Sequence, residues 1–279
     1  MTAWGESLDG PPLLVDGMRY AMGSGGKRIR PCMVLAACEA CGGDVSRALP
    51  EAVALELVHA YSLVHDDLPA LDNDVLRRGK PTVHVQFGED MAILVGDALL
   101  TAAFEVLSAG VMPGDMANRR IRSLAALATA AGSVGMVGGQ VLDMRMEDPT
   151  ADSVRRMHAG KTGALFVAAV RMGACAAGAP PAVEERLRQY GEAFGRAFQV
   201  GDDLEDWVTL GQAGGAHEEK VNWAALFGTA AALEVVEESA AAAQRWLVGL
   251  NGDTHWLNEL AQWTVDRARH VMATAPTGA

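Results

Sequence analysis

Two short acidic clusters stand out from an otherwise apolar chain. The first closes the segment Glu56–Asp74, where Asp66, Asp67, Asp72 and Asp74 follow the run Leu57-Val-His-Ala-Tyr-Ser-Leu-Val-His65. The second is Gln199-Val-Gly-Asp202-Asp203-Leu-Glu-Asp206. On a helix, offsets of three, four and seven return to one stripe, so Gln199, Asp202, Asp203 and Asp206 share a face. Carboxylates on one stripe repel one another, and a stable protein rarely places two such stripes after apolar runs unless a cation compensates them. Magnesium suits this arrangement, because it takes oxygen ligands, keeps waters, and bridges a few carboxylates to substrate phosphates. A solvated acidic helix face would explain either cluster alone. It explains less well two clusters that alternate with basic motifs.

Those motifs have the composition of a phosphate site. Gly25-Gly26-Lys27-Arg28-Ile29-Arg30-Pro31 is expected to open a helix, with glycines allowing close backbone approach and Lys27 and Arg30 on one side. Arg77-Arg78-Gly79-Lys80-Pro81-Thr82 follows the first acidic cluster, and His158-Ala-Gly-Lys161-Thr162-Gly163 adds a further cation and a hydroxyl. Arginine forks and lysine point charges are the usual partners of phosphate oxygens. Each motif is weak alone; their interleaving with the acidic clusters carries the weight.

The elements that must position these groups are helices. Of 279 residues half are apolar but only 5% aromatic, and alanine recurs throughout, which favours close-packed helices over strands. Breaks at Gly42-Gly43, Gly79-Lys80-Pro81, Pro113-Gly114, Pro149, Pro180-Pro181, Gly214-Gly215 and Asn251-Gly252 divide the chain into about ten or more helices with almost no sheet. No linker composition or repeat interrupts it, so residues 1–279 read as a single domain. Pro69 ends the first helical run and lets Asp72 fold back toward Asp66. Leu124–Leu142 carries no charge, yet its Ala, Gly, Ser, Thr and Gln make it a buried central helix rather than a membrane span. Met136, Met144, Trp207, Trp223, Trp256 and Trp263 read as core packing, and the chain beyond Thr229 as amphipathic helices without chemistry.

A net charge of -12 excludes a general field for nucleic acid. Met1–Pro12 has no basic region followed by an apolar block, and Cys32, Cys38, Cys41 and Cys175 form no disulfide framework. Both point to a cytoplasmic protein in a reducing environment.

The ordered motifs GGKRIRP, HDDLPALDND with RRGKPT, GEDMAILVGDALL, GGQVLD, KTGAL and FQVGDDLED, between about Gly25 and Gly228, resemble the trans-prenyl diphosphate synthase family in its bacterial farnesyl and geranylgeranyl branch. The resemblance implies an all-α bundle around a deep central cavity, the isoprenoid synthase fold, acting as a homodimer. It implies that Asp66, Asp67, Asp72, Asp202, Asp203 and Asp206 hold a cluster of roughly three magnesium ions on an allylic diphosphate. Lys27, Arg30, His59 and Arg78 resemble ligands of isopentenyl diphosphate. Arg77, Lys161, Thr162, Gln199 and Lys220 resemble ligands of the allylic diphosphate, with Gln140 and Asp143 lining the same mouth. The implied reaction ionises the allylic diphosphate, adds isopentenyl diphosphate to the cation, and loses a proton to the released diphosphate rather than to a side chain.

Two features depart from or refine the pattern. Relatives carry a lysine in a Gly-Lys-x-x-Gly stretch, where this chain has Gly211-Gln212-Ala213-Gly214-Gly215, and His217–Trp223 replaces an Asp-Lys-x-Thr-Tyr-Pro stretch, which loosens the assignment of Lys220. Tyr61 lies five residues before Asp66, about 7.5 Å along a helix at ~1.5 Å per residue, where its ring is expected to floor the cavity; Ser62 beside it blocks little. The predicted product is C15, with C20 next. Three other readings compete. A phosphohydrolase using His65-Asp66 would need a distant upstream histidine, and only His59 precedes His65. A terpene cyclase would not need Lys27 and Arg30. An inactive regulatory subunit would have eroded aspartates.

Overall fold

Alanine, leucine and valine dominate the segments between the breaks, and those segments fold as helices. The computed structural model describes the backbone of residues 2–110, 114–213 and 221–275. The elements are α1 (Thr2–Glu6), α2 (Pro12–Met22), α3 (Ile29–Ala40), α4 (Leu49–Asp66), the hairpin β1 (Leu76–Arg77) and β2 (Lys80–Pro81), α5 (Val83–Phe87), α6 (Glu89–Ser108), α7 (Met116–Ala131), α8 (Met136–Met144) and α9 (Ala151–His158). A π-helical turn, Ala159–Gly163, leads without a break into α10 (Ala164–Ala177), followed by α11 (Pro181–Ala213), α12 (Trp223–Phe227), α13 (Thr229–Leu247) and α14 (His255–Thr274).

Helix α10 is central: α3, α4, α7 and α11 all pack on it. Small residues let these axes close up. Gly173 of α10 faces the Val34 carbonyl and Ala37 of α3, and the buried positions of α10 carry only Leu165, Phe166 and Met172 as large side chains. Helix α11 joins two apolar clusters. Tyr190 and Phe194 belong to one with α3, α4, α6 and α10, whereas Ala197, Val200 and Leu204 belong to the other with α9, α12, α13 and α14.

Several expectations from sequence are corrected here. The uncharged run Leu124–Leu142 is not one buried helix: α7 ends at Ala131, a turn follows, and Val134, Val137, Val141 and Leu142 are exposed. Glycines 132 and 135 provide the interruption. Lys27 does not lie on a helix, because α3 begins at Ile29 and Arg28 before it adopts a left-handed φ of 53°. The Gly79-Lys80-Pro81 break is a two-residue hairpin whose central Arg78 and Gly79 both have positive φ, at 53° and 76°, the requirement of a type I′ turn. Trp207, Trp256 and Met144 are exposed rather than core.

The π-turn is held from behind by Gly139 of α8. A Cβ there would fall 1.9 Å from the Lys161 backbone nitrogen, so only glycine permits this approach. Gly139→Ala is expected to lower the free energy of unfolding by about 1–3 kcal/mol, measured by urea denaturation. Unchanged stability would show that α8 can retreat freely from the turn.

Candidate active site

Helix α4 ends in the first acidic motif because Pro69 cannot continue it. The chain then curls tightly: the Asp72 N–H donates to the Asp66 carbonyl (2.9 Å) and the Asn73 N–H to that of Leu68 (3.1 Å). The β-hairpin that follows aims Arg77 back at this loop. Its Nε donates to Asp67 Oδ1 (2.7 Å) and Oδ2 (2.9 Å), and its guanidinium also lies near Asp74 (3.5 Å). Asp67 is buried. Burial raises its carboxyl above the usual range, while Arg77 pulls it down. Asp66 is pushed up to about 6, chiefly by burial; the Lys161 ammonium opposes the rise, and Asp72 adds to it.

That coupling ties α4 to the π-turn. A π-turn adds one residue to the helical circuit and so re-aims side chains, which is why such turns recur at functional sites. Here Lys161 Nζ bonds Asp143 Oδ2 (2.5 Å), and Thr162 Oγ1 donates to Gln199 Oε1 of α11 (2.5 Å). Gln199 Nε2 donates in turn to Asp203 Oδ1 (2.9 Å), whose other oxygen accepts from the Trp223 N–H (2.7 Å). Asn222 Nδ2 donates to the Asp203 carbonyl (2.8 Å), and His158 Nε2 stands 3.3 Å from Asp203 Oδ2. Burial lifts Asp203 to about 7, against the Trp223 and Gln199 donors. Burial lowers His158 to about 4, so its imidazole is neutral near pH 7. Gln140 carries a buried Oε1 with no partner.

The basic side chains split into two groups. His59, Arg77 and Arg78 share a narrow cleft of about 30 Å³ with Arg28 and Glu56, which form an ion pair. Arg78 also donates to the Gly25 carbonyl. Lys27 and Arg30 are not in that wall. The Arg30 guanidinium lies 4.5 Å from the Phe166 ring centroid, with Nη1 3.4 Å from His59 Nε2 and a buried Nε without a partner. Burial drops Arg30 to about 10, with Glu56 and Asp202 opposing, so it stays charged at neutral pH. His59 is held well below its ordinary value by burial and by Arg30 and Arg78. Lys27 stands over the Trp263 ring at 5.0 Å.

Sequence reasoning missed Arg267 of α14. It pairs with Asp202 (2.5 Å) and Glu205 and lies over the Phe198 and Trp263 rings at 5.8 and 5.5 Å. Burial raises the Asp202 carboxyl, and Arg267 and Lys27 oppose it. The C-terminal segment thus contributes a charge to the second acidic motif. The only prior signal was Trp263 and Arg267 four residues apart on one helical face. Trp223, Asn222 and His158 were likewise invisible as partners of Asp203. Lys220 and its neighbours 214–219 lie outside the described residues.

The donor chemistry suits a hard divalent cation: carboxylate oxygens, partly desolvated, with the carboxyls of Asp66, Asp67, Asp202 and Asp203 all raised by burial. Among the described residues, no three His, Cys, Asp or Glu side chains converge closely enough to hold a metal alone. A magnesium ion that draws its remaining ligands from water and phosphate needs fewer.

Residues 11–235 match the family model described as polyprenyl synthetase. The chain is 42% identical over 270 residues to a farnesyl diphosphate synthase of Escherichia coli, covering 91% of this chain and 89% of that one. It is 46% identical over 204 residues to a geranylgeranyl diphosphate synthase of Cyanophora paradoxa, covering 71% and 67%. An FPP/GFPP synthase structure from Zymomonas mobilis superposes with a TM-score of 0.85 at 36% identity, over 95% of this chain and 94% of that one. The chain belongs to the polyprenyl synthetase family and has the isoprenoid synthase fold. It is an enzyme, a short-chain trans-prenyltransferase.

The raised carboxyls have a measurable consequence. A carboxyl with a folded pKa above its unfolded value binds more protons folded than unfolded, so its contribution to stability falls as pH rises between the two values. For Asp203 that window runs from the ordinary ~3.9 to about 7. In metal-free protein, Asp203→Asn is therefore expected to gain stability relative to wild type as pH is raised from 4 to 7.5. His158, 3.3 Å from Asp203, drives the opposite trend, so the double variant His158→Gln/Asp203→Asn compared with His158→Gln isolates Asp203. Parallel curves from chemical denaturation would refute the assignment.

Proposed function

We propose that this enzyme condenses isopentenyl diphosphate with dimethylallyl, geranyl and, more slowly, farnesyl diphosphate, with farnesyl diphosphate (C15) the favoured product and geranylgeranyl diphosphate (C20) next. The observation that carries this reading is the polar seam at the π-turn. Lys161 acts on Asp66 at the end of α4, while Thr162 bonds Gln199 beside Asp203 on α11. One short segment thereby links both acidic motifs to a cation and a hydroxyl, which is what an ionising diphosphate requires.

In this reading Asp66, Asp67, Asp72, Asp202, Asp203 and Asp206 hold roughly three magnesium ions. Bound magnesium would neutralise the charge that develops on the departing diphosphate. Arg77, Lys161 and Lys220 hold the allylic diphosphate. Arg77 is already fixed by Asp67, so its orientation is set before substrate arrives. Thr162 and Gln199 present dipoles near the path of the allylic cation, and the surrounding apolar helices keep water from quenching it. Lys27, Arg30, His59 and Arg78 hold isopentenyl diphosphate. Arg30 suits this role because it is charged, half-buried, and retains a buried, unpartnered Nε. His59 is neutral and so does not repel the neighbouring guanidiniums. Gln140 and Asp143 line the allylic mouth, Asp143 steadying Lys161. The proton goes to the released diphosphate, and no side chain serves as base.

Tyr61 is the floor of the chain-length cavity in this account. It is 7% exposed and meets His65 edge-on, with ring centroids 5.8 Å apart. His65 in turn lies 3.1 Å from the Ile93 carbonyl and against Gly96, so Tyr61 has a fixed neighbour. Ser62 bonds the His59 carbonyl and offers little obstruction. Incubating the protein with magnesium, isopentenyl diphosphate and separate C5, C10 and C15 primers should yield elongated products. Tyr61→Ala should shift them toward C20 or longer, as read by mass spectrometry. Absence of elongation from every primer would remove the whole reading; elongation with unchanged length in the variant would remove only Tyr61.

Apolar contributions of α11 to both core clusters support one domain over residues 1–279. The exposed Ile93 and Leu94 of α6 and Val137, Val141 and Leu142 of α8 support a homodimer that buries them. Sedimentation equilibrium should then report twice the mass of one chain, and a monomer at micromolar concentration would exclude it. Four free thiols, two of them buried, support a reducing cytoplasmic setting. Two helical stretches, Glu89–Ser108 and Met116–Met144, are long and apolar enough to cross a membrane by composition alone. The second is divided by the turn at residues 132–135, and the homodimer accounts for exposed apolar residues of both.

A further inference from the structure

A cavity of about 470 Å³ lies not at the acidic motifs but on the far side of α10. At about 100° per residue, Ala164, Val167, Ala168 and Arg171 face away from Phe166, whose ring carries Arg30. The wall is apolar where α7, α10 and α11 meet, at Ala126, Ala130, Ala164, Val167 and Val200. Its volume is in the range of ~300–1,000 Å³ that holds small molecules.

Charge at the cavity is one-sided. Arg155, Arg171 and Arg196 line it against a single carboxylate, Glu192, which is already paired with Arg188. Arg171 is paired with Glu184 (2.9 Å) and Arg155 with Asp152 (2.7 Å). Among the described residues, no carboxylate lies within ion-pair distance of Arg196; Glu238 acts on it only from farther off, and Arg155 is its like-charged neighbour. A hydrocarbon-lined hollow with an unpaired guanidinium beside it calls for an apolar chain with one anionic end.

The cavity also reaches the back of the catalytic seam. His158, Ala159 and Gly163, which bracket Lys161 and Thr162, form part of its wall, and so does Trp223, whose N–H holds Asp203. We propose that this cavity binds a single-chain amphipathic anion, its carboxylate or phosphate on Arg196 and Arg155, and that occupancy alters the allylic site through the π-turn and Trp223. Binding stands independently of the prenyl-transfer reading; the effect on rate rests on it.

Dodecanoate and dodecyl phosphate, each below its micelle concentration, can be titrated calorimetrically into the full-length protein. One-to-one binding is expected, weakened at least tenfold in Arg196→Ala, an exposed position that should not disturb folding, and lost in Val167→Phe, which fills the hollow. Preference for the carboxylate identifies an acyl ligand, and preference for the phosphate identifies a prenyl-type ligand. No binding, or equal affinity in wild type and both variants, would overturn the site, including the case in which dodecyl phosphate enters the allylic site. With ligand bound, the KM for the allylic primer should change at least twofold in wild type but not in Arg196→Ala. An unchanged KM in wild type would overturn the coupling.

Discussion

Carboxylates drawn out of water must be answered by charge or by hydrogen-bond donors, and that requirement organises this molecule. Asp67 is answered by Arg77 from the hairpin, Asp202 by Arg267 from the last helix, and Asp203 by Gln199 and the Trp223 backbone. Asp66 has a cation nearby in Lys161 but remains raised to about 6. The partners are far apart in sequence, so satisfying four aspartates pins α4, the hairpin, the π-turn, α11, α12 and α14 together.

The π-turn converts this electrostatic constraint into geometry. Between α9 and α10 the chain gains one residue per circuit just where Lys161 and Thr162 must face different partners. Lys161 reaches Asp143 of α8, and Thr162 reaches Gln199 of α11. Backing by Gly139 makes the turn rigid from behind, because α8 touches its backbone directly. Rigid placement matters for a reaction whose catalysis rests on charge stabilisation, since fixed dipoles need not reorganise as the diphosphate departs.

Cations and aromatic rings form a second theme. Arg30 over Phe166, Lys27 over Trp263, and Arg267 between Trp263 and Phe198 place positive charge on ring faces beside α11. Ring faces attract cations without neutralising them. Lys27 and Arg30 are therefore held in place yet keep donors for an anion, whereas Arg267 also commits its guanidinium to Asp202 and Glu205.

The helical class, the breaks at Gly42-Gly43, Gly79–Pro81, Pro149, Pro180-Pro181 and Asn251-Gly252, and the acidic and basic side chains that the fold brings near one another were legible in the amino-acid sequence, because alanine-rich composition, prolines and paired carboxylates act locally; the breaks at Pro113-Gly114 and Gly214-Gly215 fall on or beside residues outside the described ones. The common stripe of Gln199, Asp202, Asp203 and Asp206 required only helical periodicity. Periodicity could not reveal that Leu124–Leu142 breaks into two helices, since uncharged residues fit a buried helix and a turn equally well. Nor could it reveal the turn at Lys161, the left-handed Arg28, or the reach of Arg267 to Asp202, 65 positions away. Such pairings arise only when helices distant in sequence pack side by side. Local chemistry named the groups, and tertiary packing decided which charge answers which.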